Sequence, residues 1–201
     1  MGALMISNEI IMIENCTAVI LAGGESRRMG QDKAQVMFRG ESLMERAIAN
    51  LEPLFAEIVV SVRRPIPSNL PQVMDAGGGP MAGLVAALEY VRKDWIFAIG
   101  VDMPFVVPAV IRHMGEQRSG RDAVLAEING KLQPVPAFYA KAACLPAMQS
   151  RIAQGRRSLM RLMPLLNTAV LTEKDLRLLD PGLRSFVDFD TPEDMAAFGG
   201  K

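Results

Sequence analysis

Directly after the apolar run Ala18-Val-Ile-Leu21 the chain reads Ala22-Gly-Gly-Glu-Ser-Arg-Arg-Met-Gly-Gln-Asp-Lys33, a glycine-rich loop carrying Arg27, Arg28 and Lys33. Such a loop can hold phosphate. Gly23 and Gly24 have no Cβ, so backbone N–H groups can converge on an anion that a bulkier residue would keep away. The guanidinium groups add planar forks and the lysine a mobile point charge, a combination suited to a polyphosphate tail. Gly24 and Gly30 carry the spacing of a P-loop, but Gln31 and Asp32 stand where its lysine and hydroxyl belong. The dinucleotide fingerprint Gly-x-Gly-x-x-Gly is absent here and at Gly77-Gly-Gly79.

Three further stretches place polar groups just beyond predicted strands. Asp75 precedes Gly77-Gly-Gly-Pro80-Met-Ala-Gly83, where glycines permit close backbone approach and Pro80 can start a helix. Asp102, in Gly100-Val-Asp-Met-Pro104, ends a strong apolar run, and a carboxylate fixed there can ligate Mg²⁺ through one oxygen. In Val187-Asp-Phe-Asp-Thr-Pro-Glu-Asp194, alternation puts Asp188 and Asp190 on the same side of a strand, and Thr191-Pro192 reads as a helix start. Arg156 and Arg157 follow Gly155 ahead of an apolar segment and could meet an anion. His113 is the only histidine, so Ser-His-Asp catalysis and histidine metal sites are excluded, and chemistry must rest on carboxylates, cations, backbone and a hard metal ion.

The elements that must carry these groups alternate. Strands are expected at Thr17–Leu21, Glu57–Val62, Val73–Met74, Trp95–Val101, Thr168–Leu171 and Phe186–Phe189, as near-continuous apolar runs. Helices are expected at Ser42–Phe55, Met81–Lys93, Val107–Gln117, Lys141–Ala153, Ser158–Leu166 and Pro192–Phe198. Asp122–Ile128 and Lys131–Tyr139 flank Asn129-Gly130, a tight-turn dipeptide, which makes an antiparallel pair and a mixed sheet. The prolines at 65, 67 and 71 make residues 63–72 a loop. The pattern is that of an α/β protein, a mostly parallel sheet covered on both faces, whose ligands bind where strands end at their carboxyl tips.

Composition bounds the rest. The 201 residues suffice for one domain with a full core, and 22 cationic against 22 anionic side chains leave no polybasic face for nucleic acid or a membrane. Cys16 and Cys144 lie far apart with no Cys-x-x-Cys, which points to buried thiols in a reducing cytoplasm rather than a disulfide or zinc site. Residues 1–16 are apolar in places, but Asn8, Glu9 and Glu14 interrupt them and no cation precedes Ile10–Ile13, so they fit neither a signal peptide nor a membrane span. They are expected as an extension to a single domain over 17–201, in which residues 129–166 form a lobe that closes over substrate.

The loop from Leu21 to Lys33 resembles the signature Leu-Ala-Gly-Gly-x-Ser-x-Arg-Met-Gly-x-Asp-Lys of the molybdenum cofactor guanylyltransferase family, the MobA proteins among the nucleotidyltransferases, with every fixed element present. The segment Gly79-Pro80 to Gly83 is similar to the family's Gly-Pro-x-Ala-Gly, Asp102-Met-Pro104 to its Asp-x-Pro, and Gly155-Arg-Arg157 to its Gly-x-Arg-Arg. The resemblance implies a three-layer Rossmann-like nucleotidyltransferase fold and transfer of GMP from GTP to molybdopterin, with pyrophosphate released and Mg²⁺ as cofactor. It implies nucleotide contacts from Leu21, Ala22, Gly23, Gly24, Lys33, Ser61, Asp75, Gly79, Pro80, Gly83 and Asp102. Catalytic roles fall to Arg28, Lys33 and Asp102, and the metal to Asp102 with Asp190 as its second ligand. Acceptor contacts fall to Arg156, Arg157, Asp188 and Asp190, and proteins of molybdoenzyme maturation are the implied partners. The chain departs from the family in having Asp188-Phe-Asp190 where Asn-x-Asn is common, and Gln133-Pro134 where some relatives show His-Pro. Relatives using CTP read Leu-Ala-Ala-Gly, so the methyl missing at Gly23 is expected to make room for a purine edge. A CTP-using cytidylyltransferase, a sugar-phosphate nucleotidyltransferase and a non-catalytic nucleotide-binding module share parts of this pattern and stay open at this point.

Overall fold

A computed structural model describes residues 12–23 and 33–199. In chain order the strands and helices are β1 (Cys16–Leu21), β2 (Met37–Phe38), β3 (Glu41–Ser42), α1 (Leu43–Leu51), β4 (Ile58–Val62), β5 (Gln72–Met74), α2 (Pro80–Tyr90), β6 (Trp95–Gly100), α3 (Pro108–Glu116), β7 (Ala123–Ile128), β8 (Lys131–Ala140), α4 (Lys141–Ala153), β9 (Thr168–Leu171), α5 (Glu173–Leu176) and α6 (Pro192–Ala197). The main sheet has the order β5-β4-β1-β6-β8-β7-β9. Its strands share one direction except β8, which pairs antiparallel with both β6 and β7. The Asn129-Gly130 turn that reverses the chain has φ of 51° and 69°, the left-handed pair a two-residue hairpin requires.

β1, β4 and β6 are buried on both faces, which is why they read as unbroken apolar runs. Successive residues feed opposite cores: Ala18 and Ile20 join Phe97, Phe138, α1 and α3 on one side, while Val19 and Val59 join α2, α4 and Tyr139 on the other. The three layers follow from that alternation. Among the described residues no helix is long and apolar enough to cross a membrane.

Two expected elements are corrected. Ser158–Leu166 is not a helix; it is a chain of turns ending in the 3₁₀ segment Met163–Leu165. Pro164 lacks the N–H a helix needs and restricts Met163 before it, so the buried Leu159, Leu162 and Met163 sit in isolated turns, with bonds such as Leu162 N–H to Leu159 O at 2.8 Å, that do not continue into an α-helix. Phe186–Phe189 is not a ladder strand either: Arg184–Phe186 forms a 3₁₀ turn, and among the described residues the backbone of 187–190 bonds to the sheet tips through Phe189 N–H to Asp102 O at 2.9 Å. α1 also ends at Leu51 instead of Phe55, because Pro53 cannot continue it. Its start is a full capping box between Ser42 and Glu45. The hairpin β2–β3 and the helix α5 have no counterpart in the expected elements. Residues 129–166 include β8, which sits inside the sheet, and α4, which packs beside α2.

Candidate active site

β1 lies between β4 and β6 with Leu21 opposite Ser61 on one side and Gly100 on the other, so three carboxyl tips end level. The chain builds β4 and β5 outward from β1, then crosses back to lay β6 on its other side. This is a topological switch point, where loops diverge to opposite faces and leave a crevice. A cleft of about 550 Å³ opens there, lined by Leu21, Gly23, Ser61, Arg63, Asp75, Gly79, Pro80, Gly83, Gly100, Asp102, Met103, Gln133, Pro134, Val135, Phe186 and Asp188.

One flank is built around Asp75. Its Oδ1 accepts the Gly77 N–H at 2.8 Å and its Oδ2 faces the Ser61 hydroxyl at 3.4 Å. The glycine turn behind it runs through φ of 73°, 105° and 95° at Gly77, Gly78 and Gly79, a path that L side chains rarely take, before Pro80 opens α2. Small residues give their Cβ space to the site. A methyl on Gly23 would collide with the Asp75 carboxylate, one on Gly83 would lie 2.7 Å from Ser61 Oγ, and one on Gly100 would collide with Asp102. The space a methyl on Gly23 would need is thus taken by the Asp75 carboxylate.

The other flank gathers charge. Lys33 Nζ lies 2.7 Å from Asp102 Oδ2 and 2.9 Å from Asp190 Oδ1. Burial alone would push the ammonium down, but the hydrogen bonds and charge of Asp102 and then Asp190 outweigh it and hold the ammonium above its ordinary range. Asp188 stands in the same field: partial burial first, then the neighbouring carboxylates Asp102 and Asp190, raise its carboxyl above the usual value. Phe189 is buried against Phe38, Phe105 and Phe198, and that anchor turns the acids on either side of it toward the cleft and Lys33.

The structure therefore brings Leu21, Gly23, Ser61, Asp75, Gly79, Pro80, Gly83, Asp102 and Asp188 to one cleft, with Lys33 and Asp190 joined to Asp102. Ala22 adds backbone only, its N–H donating to Ser61 O at 2.8 Å. Gly24 and Arg28 lie outside the described residues. Arg156 and Arg157 do not line this cleft; Arg157 lies behind the glycine turn, donating to Gly77 O at 3.3 Å and filling the space beside Gly78. Sequence reasoning missed Arg63, Met103, Val135 and Phe186, and it singled out Gln133-Pro134 without placing it in a site. Arg63 carried a usable signal, since it directly follows the buried tip of β4. The wall from Gln133 to Val135 did not, because only the antiparallel insertion of β8 beside β6 brings it there. Among the described residues no group of three or more His, Cys, Asp or Glu surrounds a common metal position.

The chain matches the MobA-like NTP transferase domain over residues 18–170, a span that holds both flanks of the cleft except the 184–190 segment. The chain belongs to the MobA-like NTP transferases. Similar proteins of this family include a probable molybdenum cofactor guanylyltransferase of Pelotomaculum thermopropionicum, 34% identical with 89% of each chain covered. Another, of Opitutus terrae, is 38% identical over 80% of this chain and 81% of its own. Among solved structures, the molybdopterin-guanine dinucleotide biosynthesis protein A of Archaeoglobus fulgidus superposes with a TM-score of 0.80 at 28% identity, covering 90% of this chain and 95% of that one. The 2-C-methyl-D-erythritol 4-phosphate cytidylyltransferase of Thermus thermophilus shares the fold, with a TM-score of 0.68 at 19% identity over 90% and 95% of the two chains. NTP transferases of this family typically use a divalent metal.

Proposed function

We propose that this transferase moves GMP from GTP to the terminal phosphate of molybdopterin, forming the guanine dinucleotide cofactor and releasing pyrophosphate, in the cytoplasm. The observation that carries the reading is a single cleft with the Asp75 carboxylate on one flank and, on the other, Asp102 joined to Lys33 and through it to Asp190. Relatives bearing the guanylyltransferase name over nearly their whole length support the choice of acceptor and base.

In the reaction an oxygen of the acceptor phosphate forms a bond to the α-phosphorus of GTP while the bond from that phosphorus to the β-bridging oxygen breaks. A phosphate monoester is already a competent nucleophile, so the chain has no need of a general base and must chiefly align two polyanions and offset their charge. Asp75 accepts the paired N–H donors of guanine, held in aim by Gly77 and Ser61. Backbone at Ala22 and Gly23 faces the phosphates, and Lys33 with Arg28 takes the charge that gathers on pyrophosphate. Asp188 and Asp190 face the acceptor side.

The donor set suits Mg²⁺: two carboxylate oxygens already hold one cation, the Lys33 ammonium, at 2.7 and 2.9 Å, and both are hard ligands. Asp102 and Asp190 would hold the ion, which when bound supplies Lewis-acid neutralisation of phosphate oxygens. Incubation with molybdopterin, Mg²⁺ and GTP, CTP or ATP tests the proposal. A guanine dinucleotide, identified by mass with equimolar pyrophosphate, is the expected product; a dominant cytosine product, or none with any nucleotide, refutes it.

A further inference from the structure

Lys33 is asked to do two incompatible things. As a phosphate ligand it must reach the triphosphate, yet its ammonium is seated between Asp102 Oδ2 and Asp190 Oδ1, with its side chain only 15% exposed. A magnesium-sized ion held by the same two oxygens would sit about 2.1 Å from each. Nζ now fills the place between these two oxygens, and two cations cannot share it, so the ammonium and an ion held by the same pair exclude each other. The contest is unequal in the empty enzyme, because the lysine is tethered to the 3₁₀ turn Lys33–Gln35 beside the gap while the ion must shed water to enter. A triphosphate changes the balance on both sides: it offers the ammonium another anion and offers the ion more oxygens.

From this geometry we infer that Lys33 is the resident cation of the empty site and yields the gap between Asp102 and Asp190 only when a triphosphate draws it away, so that nucleotide and metal are taken up together. The inference rests on the metal assignment above and adds what pairs Asp102 and Asp190 before the nucleotide arrives. It also gives one side chain a reason to contact both carboxylates and phosphate at different stages. Metal alone is then a poor ligand of the wild-type protein, and reciprocity of linkage makes it a good one only alongside nucleotide.

Mn²⁺ binding to the full chain, followed by electron paramagnetic resonance without turnover, tests this. Lys33→Met and Lys33→Gln, each checked for an unchanged circular dichroism spectrum, should bind Mn²⁺ without nucleotide at least about tenfold more tightly than wild type. Adding Asp190→Asn to Lys33→Met should abolish that gain. In wild type itself, the α,β-methylene analogue of GTP should raise Mn²⁺ affinity beyond what the free analogue chelates, a measurement that needs no variant. Equal affinity in wild type and both Lys33 variants would overturn the inference, as would a gain that survives Asp190→Asn. Failure of the GTP and molybdopterin assay would instead refute the function while leaving these metal affinities to stand.

Discussion

Replacing Asp75 by asparagine separates base recognition from every other property of the cleft. Two of the carboxylate's acceptor positions are spent on the chain itself, one on Gly77 N–H at 2.8 Å and one toward the Ser61 hydroxyl at 3.4 Å. Each oxygen retains a second lone pair, which leaves a side-by-side acceptor pair for the N1–H and 2-amino donors of guanine. Asparagine keeps the Gly77 bond through its carbonyl oxygen and can donate to Ser61, so the turn stays in place. Toward guanine, however, the new amide nitrogen meets a donor with a donor. Weakening one charge-assisted bond to a neutral one and turning the other into an opposition costs about 2–4 kcal/mol, or roughly 30- to 1000-fold in kcat/KM for GTP. Xanthosine triphosphate carries a carbonyl where guanine has its amino group, and that oxygen accepts from the new amide, so the variant should prefer XTP while wild type prefers GTP. Pyrophosphate release with each nucleotide at fixed acceptor gives the ratio. An Asp75→Asn enzyme that keeps its preference for GTP would refute the assignment of this carboxylate to the base.

Gly23→Ala drives a methyl into the Asp75 carboxylate and should weaken GTP binding measured by calorimetry without acceptor; intact GTP binding would show that Asp75 moves without consequence. Lys33→Ala and Asp102→Ala should each lower turnover by orders of magnitude with little change in thermal midpoint, whereas His113→Ala, at the end of α3, should leave turnover near wild type. Burial pushes the Cys16 and Cys144 thiols up to about 12, so neither should react with a thiol reagent at pH 8 until the protein is unfolded. By linkage, the stability owed to these neutral thiols is complete below the ordinary thiol value near 9 and is lost as pH rises toward 12, which urea titrations across that window would register. Phe189→Ala should cost about 3–5 kcal/mol in urea unfolding and raise KM for the acceptor, since the ring both fills the core and aims Asp188 and Asp190.

The parallel half of the sheet was legible because its strands are buried on both sides and so announce themselves as apolar runs, and Asn129-Gly130 declared the hairpin by the φ it must adopt. Asp75 and Asp102 were legible for a related reason: a polar residue straight after such a run has to emerge at a sheet tip. The segment 184–190 misled, since Phe186 to Phe189 alternates like a strand yet, among the described residues, joins no ladder and reaches the sheet tips through Phe189 N–H to Asp102 O. Its alternation is real and comes from one ring packing inward among phenylalanines instead of from a ladder. Ser158–Leu166 misled because apolar spacing suits a helix while Pro164 forbids one. Arg157 was read as facing an anion, but the close approach of its guanidinium to Gly78 depends on where α4 ends, which local sequence does not encode.

The bond between Lys33 and Asp190 spans 157 positions, with every strand of the main sheet except β1 threaded between its two ends. During synthesis the glycine loop and every strand emerge long before the acid that answers this lysine. A ribosome-bound chain can fold its core and still lack a complete cation cradle, and closing so long a loop is slow by nature. Half-made copies would then handle nucleotide poorly, and competence would arrive in a single late step when the 184–190 segment docks across the mouth.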